Sequence, residues 1–153
     1  MLQQLSVIFM YALTPIGELR LAIPLGLTQY ELPVALVYIV AVIGNMIPPI
    51  LILYGLPLVA DNLRSRSKRI DHFLNWLFER TRRKTEKHMK KYGPLGLMLF
   101  VAIPLPNTGA WTGSLAAWLF GVPKKTALMY TLFGVMIAGI VVTLLTFGAQ
   151  NIF

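Results

Sequence analysis

The sequence predicts an all-α integral membrane protein. Its expected architecture is an inverted repeat of a re-entrant helical hairpin plus one transmembrane helix, with a basic amphipathic linker helix between the repeats. Three observations predict this. Of 153 residues, 56% are apolar and 13% are charged, whereas a soluble domain carries about a quarter charged residues; mean hydropathy is +0.66. The charges are segregated: between Asp61 and Lys91 lie eleven Lys/Arg and four Asp/Glu, a net +7 of the chain's +8. Finally, the stretches on either side of that segment share one punctuation of apolar runs, Pro/Gly breaks and a long uncharged span.

Repeat one covers residues 1–60, with the hairpin at 5–30 and the transmembrane helix at 33–60. Leu5 to Leu13 is apolar but too short to cross about 30 Å of hydrocarbon. No Lys or Arg precedes this run and no small-x-small site follows it, so it reads as retained structure rather than a signal peptide. Thr14-Pro15-Ile16-Gly17-Glu18-Leu19-Arg20 then breaks the pattern, and a second short run, Leu21 to Leu27, is interrupted by Pro24 and Gly26. Pro33 to Ala60 is uncharged and long enough to span. Within it, Asn45 and Pro48 mark a polar kink; the plainer reading of Asn45 is an interhelical hydrogen bond.

Residues 61–92 form the linker. Ile70, Phe73, Leu74, Leu77 and Phe78 recur at i, i+3, i+4, i+7 and i+8, one face of a helix. Glu79 with Arg83 and Glu86 with Lys90 are supporting i,i+4 pairs. An apolar stripe, Trp76 and a dense Arg/Lys face suit a helix lying on anionic lipid headgroups over residues 64–91. The same features also serve as a plain topology anchor. Membrane flanks on both sides argue for lipid and against nucleic acid.

Repeat two covers residues 93–153, with the hairpin at 95–121 and the transmembrane helix at 124–150. Leu95 to Val122 is uncharged, yet Pro104, Pro106, Gly109 and Gly113 fall near its centre. Prolines remove backbone donors and block a straight helix, and broken backbone at membrane depth survives only against protein or a water-filled cavity. Pro15 to Pro33 is 18 residues and Pro104 to Pro123 is 19; both spans carry a central glycine, Gly44 and Gly134. One unit crosses the membrane once, so the second copy starts on the opposite side, which makes the repeat inverted. The positive-inside rule puts the linker, Lys124 and Lys125 in the cytoplasm and both termini outside. A plain four-helix bundle, the rival topology, would put Lys124 and Lys125 outside. The expected location is the inner or plasma membrane.

Two groups of residues stand out chemically. Glu18 and Arg20 are the only charges inside the expected hydrocarbon zone. Such charges cost at least ~2.5 kcal/mol each on insertion scales and usually mark function. In a low-dielectric site a Glu titrates near neutral pH and becomes a candidate proton carrier, while Arg20 stays charged and holds an anion or fixes Glu18. The structural alternative is that the two pair with each other or snorkel to the interface. The second group is Pro104-Leu105-Pro106-Asn107-Thr108-Gly109-Ala110-Trp111-Thr112-Gly113. It offers an amide, hydroxyls, an indole and free backbone groups, which half-helix ends use to attract ions. With Pro15, Gly17 and Pro24 it forms an expected substrate cradle; the alternative is a tight turn with glycines for close packing.

The chain has no cysteine, and its two histidines, His72 and His88, both lie in the basic segment. Disulfides, thiolate catalysis and Cys-ligated zinc are excluded, and no metal-ligand spacing occurs. No hydrolase triad, P-loop or catalytic carboxylate pair is present. The expectation is therefore no enzyme and no cofactor or metal. With only two full spans to wall a path, a homo-oligomer, first a dimer, is expected.

The stretches Thr14 to Pro24 and Pro104 to Gly113 resemble the two signatures of the small multidrug export family of prokaryotes, over essentially the full length. That family looks like a distant branch of the DedA superfamily, which also holds the VTT-domain scramblases. The resemblance implies opposed re-entrant hairpins, proton-coupled transport, and lipid or polyprenyl-phosphate substrates. Pro15-Ile16-Gly17-Glu18 is similar to the DedA turn in which an acid follows Pro-x-Pro-small, with Leu13 at the first proline position. Ile103-Pro104 followed by Thr108 is similar to a second DedA stretch, but Val101 and Asn107 stand where DedA proteins carry arginines; Arg20, on the other hairpin, is the candidate replacement. The functional expectation is a small ion-coupled, DedA-like transporter of an amphipathic or anionic substrate. A lipid flippase or scramblase and a non-transporting scaffold are the alternatives.

Overall fold

The computed structural model describes residues 1–66, 68–105 and 108–150. Every regular element among them is helical: α1 (Leu2–Leu13), α2 (Glu18–Pro24) with a following π-helical turn (Leu25–Gln29), α3 (Val34–Arg66), α4 (Lys68–Tyr92), α5 (Pro94–Ala102), α6 (Ala110–Leu119) and α7 (Lys124–Gln150). Two helices are long and apolar enough to cross a bilayer, through Val34–Val59 and Lys124–Ala149, each with mean hydropathy 2.3. At 1.5 Å per residue, the 12 residues of α1 reach only about 18 Å.

Proline and local bonding set the ends of the short helices. Pro15 disfavours helical backbone at Thr14, which is extended at φ −77°, ψ 144°. The Thr14 hydroxyl donates to the Tyr11 carbonyl and accepts from the Gly17 amide, and the Glu18 amide donates to the Thr14 carbonyl. That local turn starts α2 at once. Pro24 removes a donor from α2, and the chain continues as the wider π turn. Pro104 acts on Ile103 as Pro15 does on Thr14: Ile103 is extended at φ −81°, ψ 114°, and α5 stops at Ala102. The uncharged stretch 95–122 is thus two helices with a break between them.

The long helices begin alike. Glu31 has φ +49° and Gly121 φ +67°, each two residues before a proline, Pro33 or Pro123, whose carbonyl receives the first helical amides. By contrast, α3 continues through Pro48, Pro49 and Pro57.

Small residues let the helices approach closely. A Cβ added at Gly44 would sit 3.0 Å from Ala12 Cβ and from the Phe9 carbonyl oxygen, so α3 lies hard against α1. A Cβ at Gly134 would sit 2.7 Å from Val101 Cβ and 2.8 Å from the Met98 carbonyl oxygen, so α7 lies equally hard against α5. The long helices also meet each other: the Tyr38 ring crosses Gly139 and its hydroxyl donates to the Met136 carbonyl at 2.9 Å. Ile8, Ala12, Ile23, Val37, Leu97, Val101, Ala117 and Val135 fill the core between these helices. Outward faces of α3 and α7 stay apolar and exposed, at Ile39, Ile43, Leu51, Phe133, Ile140 and Leu144.

Helix α4 divides its apolar stripe. Leu74 and Phe78 are buried against Leu115, with Ile52 and Leu56 of α3 and Trp118 of α6 packed around them; Phe78 and Trp118 meet edge to face at 5.2 Å. Ile70, Phe73 and Trp76 remain exposed. Periodicity marks an apolar face but not what covers it, and here protein covers part of the stripe assigned to lipid. Farther along, Lys90 lies 2.5 Å from Glu86 and holds its carboxyl below the usual range.

Candidate functional site

The two breaks in the chain close on each other, and Glu18 stands between them. Glu18 opens α2 with φ +46°, a left-handed conformation rare outside glycine. Its side chain is 7% exposed. From that position the carboxylate reaches the first turn of α6: the Trp111 amide donates to Oε1 at 3.5 Å, and the Ala110 amide also faces the carboxylate. Helix α6 begins with orphan amides, and its N-cap, Gly109, has no side chain to satisfy them. A carboxylate from the other half of the chain does so, where the helix dipole favours negative charge.

Gly109 makes room for this arrangement. Its φ of +129° and ψ of −169° belong to glycine. A Cβ there would stand 2.6 Å from Glu18 Oε1 and closer still to Oε2.

Arg20 completes the junction. Its Nη2 lies 3.6 Å from Glu18 Oε2, and it donates to the Thr108 carbonyl and, at 3.2 Å, to the Thr108 hydroxyl. The pairing that α-helical i,i+2 spacing forbids is permitted because Glu18 is not in α-helical conformation. A third link runs the other way: the Trp111 indole donates at 3.1 Å to the Leu13 carbonyl, a free carbonyl at the end of α1.

Arg20 is 24% exposed and lines a groove of about 580 Å³ with Pro24, Thr28, Pro104, Leu145 and Thr146. The hydroxyls of Thr28 and Thr146 are bonded to carbonyls one turn back in their own helices. Among the described residues that line the groove, Arg20 is therefore the one charged group, on a mostly apolar wall.

The remaining expected cradle residues scatter. Pro15 is exposed and Gly17 is buried under Thr14. Gly113 packs against Val101 and Leu97, the close-packing alternative. Thr112 is half-buried. Pro106 and Asn107 lie outside the described residues. Asn45 is 1% exposed and shares a small cavity with Glu18, while Pro48 is fully buried. No sequence signal marks the Leu13 carbonyl, the Ala110 amide, or the groove residues Thr28 and Thr146, because backbone atoms and self-bonded hydroxyls carry no motif.

Residues 18–141 match the sequence model of a family described as "Putative small multi-drug export protein". The chain belongs to this family. The match takes in Glu18, Arg20 and the whole second break, and with the two long apolar helices it marks a membrane protein of the small multidrug export type. No curated protein and no solved structure matches the chain.

Proposed function

We propose that the chain is a proton-coupled transporter in which Glu18 carries the proton and Arg20 meets an amphipathic, anionic substrate at the groove. The observation that carries this reading is the Glu18–Arg20 pair, held where the two breaks meet and open through Arg20 to a groove of about 580 Å³. Charges at such depth are expensive to keep and usually functional. Protonating Glu18 removes the counter-ion of Arg20, so proton and anion bind the site together. No covalent step is needed, and the reading is of transport without enzyme chemistry.

In this reading the two halves are inverted repeats of a re-entrant hairpin and one span. The parallels support it: extended Thr14 and Ile103 before prolines, positive φ at Glu31 and Gly121, and Gly44 and Gly134 wedged against the preceding short helices. The basic helix then lies in the cytoplasm and both termini outside. Kinship with DedA transporters gains support from Arg20. Its guanidinium reaches Thr108, one residue from Asn107, where DedA proteins carry an arginine. Exposed apolar faces on α3 and α7 leave room for a dimer.

The test is flux in liposomes with wild type, Glu18→Gln and Arg20→Ala. Proton-linked movement of an amphipathic anion should vanish in Glu18→Gln while the protein remains folded; full activity in that variant would refute the reading. The groove also runs along α7 at Leu145, beside exposed Leu144, which favours lipid translocation as a second reading. Labelled anionic lipid crossing the same vesicles, and lost in Arg20→Ala, would select it.

A further inference from the structure

Asn45 lies within α3, 1% exposed, and its Oδ1 has no hydrogen-bond partner among the described residues. Leaving such a group unmade costs about 1–3 kcal/mol, and buried polar atoms of this kind call for a specific explanation. Its surroundings are polar for a second reason. Pro48 and Pro49 lack the amides that would have bonded the carbonyls of Gly44 and Asn45 in the helix.

Beside Asn45 is a small, largely enclosed cavity of about 10 Å³, room for one water molecule. Glu18, Arg20, Asn45 and Ala110 line it, with Val101 and Val135 on the apolar side. A buried water needs two to four polar partners. Here Asn45 Oδ1 and the Glu18 carboxylate are available to accept, and Arg20 to donate. A metal cation is disfavoured in the same space. The guanidinium stands 3.6 Å from the carboxylate, and the N-terminus of α6 adds partial positive charge.

We infer that this cavity holds a single ordered water bridging Asn45 Oδ1 and the Glu18 carboxylate, which makes Asn45 a positioning residue of the Glu18 site. The water is the nearest station for a proton reaching Glu18, and that consequence alone rests on the transport reading.

The test is water-edited solid-state NMR on the full chain in lipid bilayers, with labelled Glu and Asn. The Glu18 Cδ signal is identified by its loss in Glu18→Gln. In wild type, polarisation from water should reach both Glu18 Cδ and Asn45 Cγ. Asn45→Leu, similar in volume but without the oxygen, should reduce transfer to Glu18 several-fold, and Asn45→Ser, which keeps a hydroxyl, should restore it. Undiminished transfer in Asn45→Leu overturns the inference. So does a dry Asn45 in wild type, which needs no variant to fold. A Glu18 Cδ shift on replacing choline by Na⁺ overturns it in favour of a cation. Transport lost in Glu18→Gln with a dry Asn45 refutes the water and leaves the transporter standing; water at both carbons with transport indifferent to Glu18→Gln does the reverse.

Discussion

Gly109→Ala tests how the two breaks are held together. The substitution does two separable things. At φ +129°, ψ −169° an alanine is in a glycine-only region, which costs about 1–3 kcal/mol. Its Cβ would also stand 2.6 Å or less from the Glu18 carboxylate oxygens, so the carboxylate must leave the first turn of α6. Losing hydrogen bonds to a charged group costs about 1.5–3 kcal/mol more. The single variant should therefore be destabilised by roughly 2.5–6 kcal/mol, summing those two effects. In a Glu18→Ala background the carboxylate is already absent, and only the backbone part, about 1–3 kcal/mol, should remain. A double-mutant cycle, read by equilibrium unfolding in mixed micelles, isolates the difference. A coupling of about 1.5–3 kcal/mol is expected. Strictly additive effects would refute the idea that Gly109 exists to admit the carboxylate.

Three further substitutions probe the frame around the site. Trp111→Phe removes the indole donor to the Leu13 carbonyl and should lower stability by about 1 kcal/mol; an unchanged unfolding midpoint would mean the link is idle. Glu31→Gly places glycine at φ +49° and should raise stability by up to about 1 kcal/mol, left-handed strain relieved less unfolded-state entropy; a loss in thermal unfolding would contradict it. Gly134→Ala adds a Cβ 2.7–2.9 Å from Val101 and Met98, separating α7 from α5 at about 1–3 kcal/mol; a neutral result would show that the contact yields.

Much of this fold was legible because membranes simplify sequence. The spans at α3 and α7, the basic helix and both breaks follow from uncharged length, charge segregation and paired prolines. Less could be read where backbone geometry decides. Glu18 and Arg20 were conspicuous as lone charges, but their contact depends on the left-handed turn at Glu18, and no residue type announces that. Trp111 and Thr108 looked like ligands for a substrate. In this structure they bind the first half of the chain, through the Leu13 carbonyl and Arg20. Hydrophobic periodicity in α4 was correctly visible, yet it could not tell Leu74, which meets protein, from Phe73, which does not.

Glu18 caps α6, and the proton role proposed for it must be separated from that cap before any loss of transport is assigned to a proton. As a cap it needs only an acceptor oxygen facing the α6 amides. As a proton site it needs a titratable charge. Gln keeps the oxygen and discards the charge, whereas Ala discards both and leaves the Ala110 and Trp111 amides without their partner. Glu18→Gln should therefore fold, and be more stable than Glu18→Ala by about 0.5–2 kcal/mol, the range for an N-cap. Both should fail to couple proton flux. If Gln is as destabilised as Ala, the charge itself holds α6 in place, because Arg20 has lost its counter-ion in both. Transport loss in Glu18→Gln would then report a broken junction and not a missing proton. If Gln is stable and inactive, the carboxylate's titration is what transport requires.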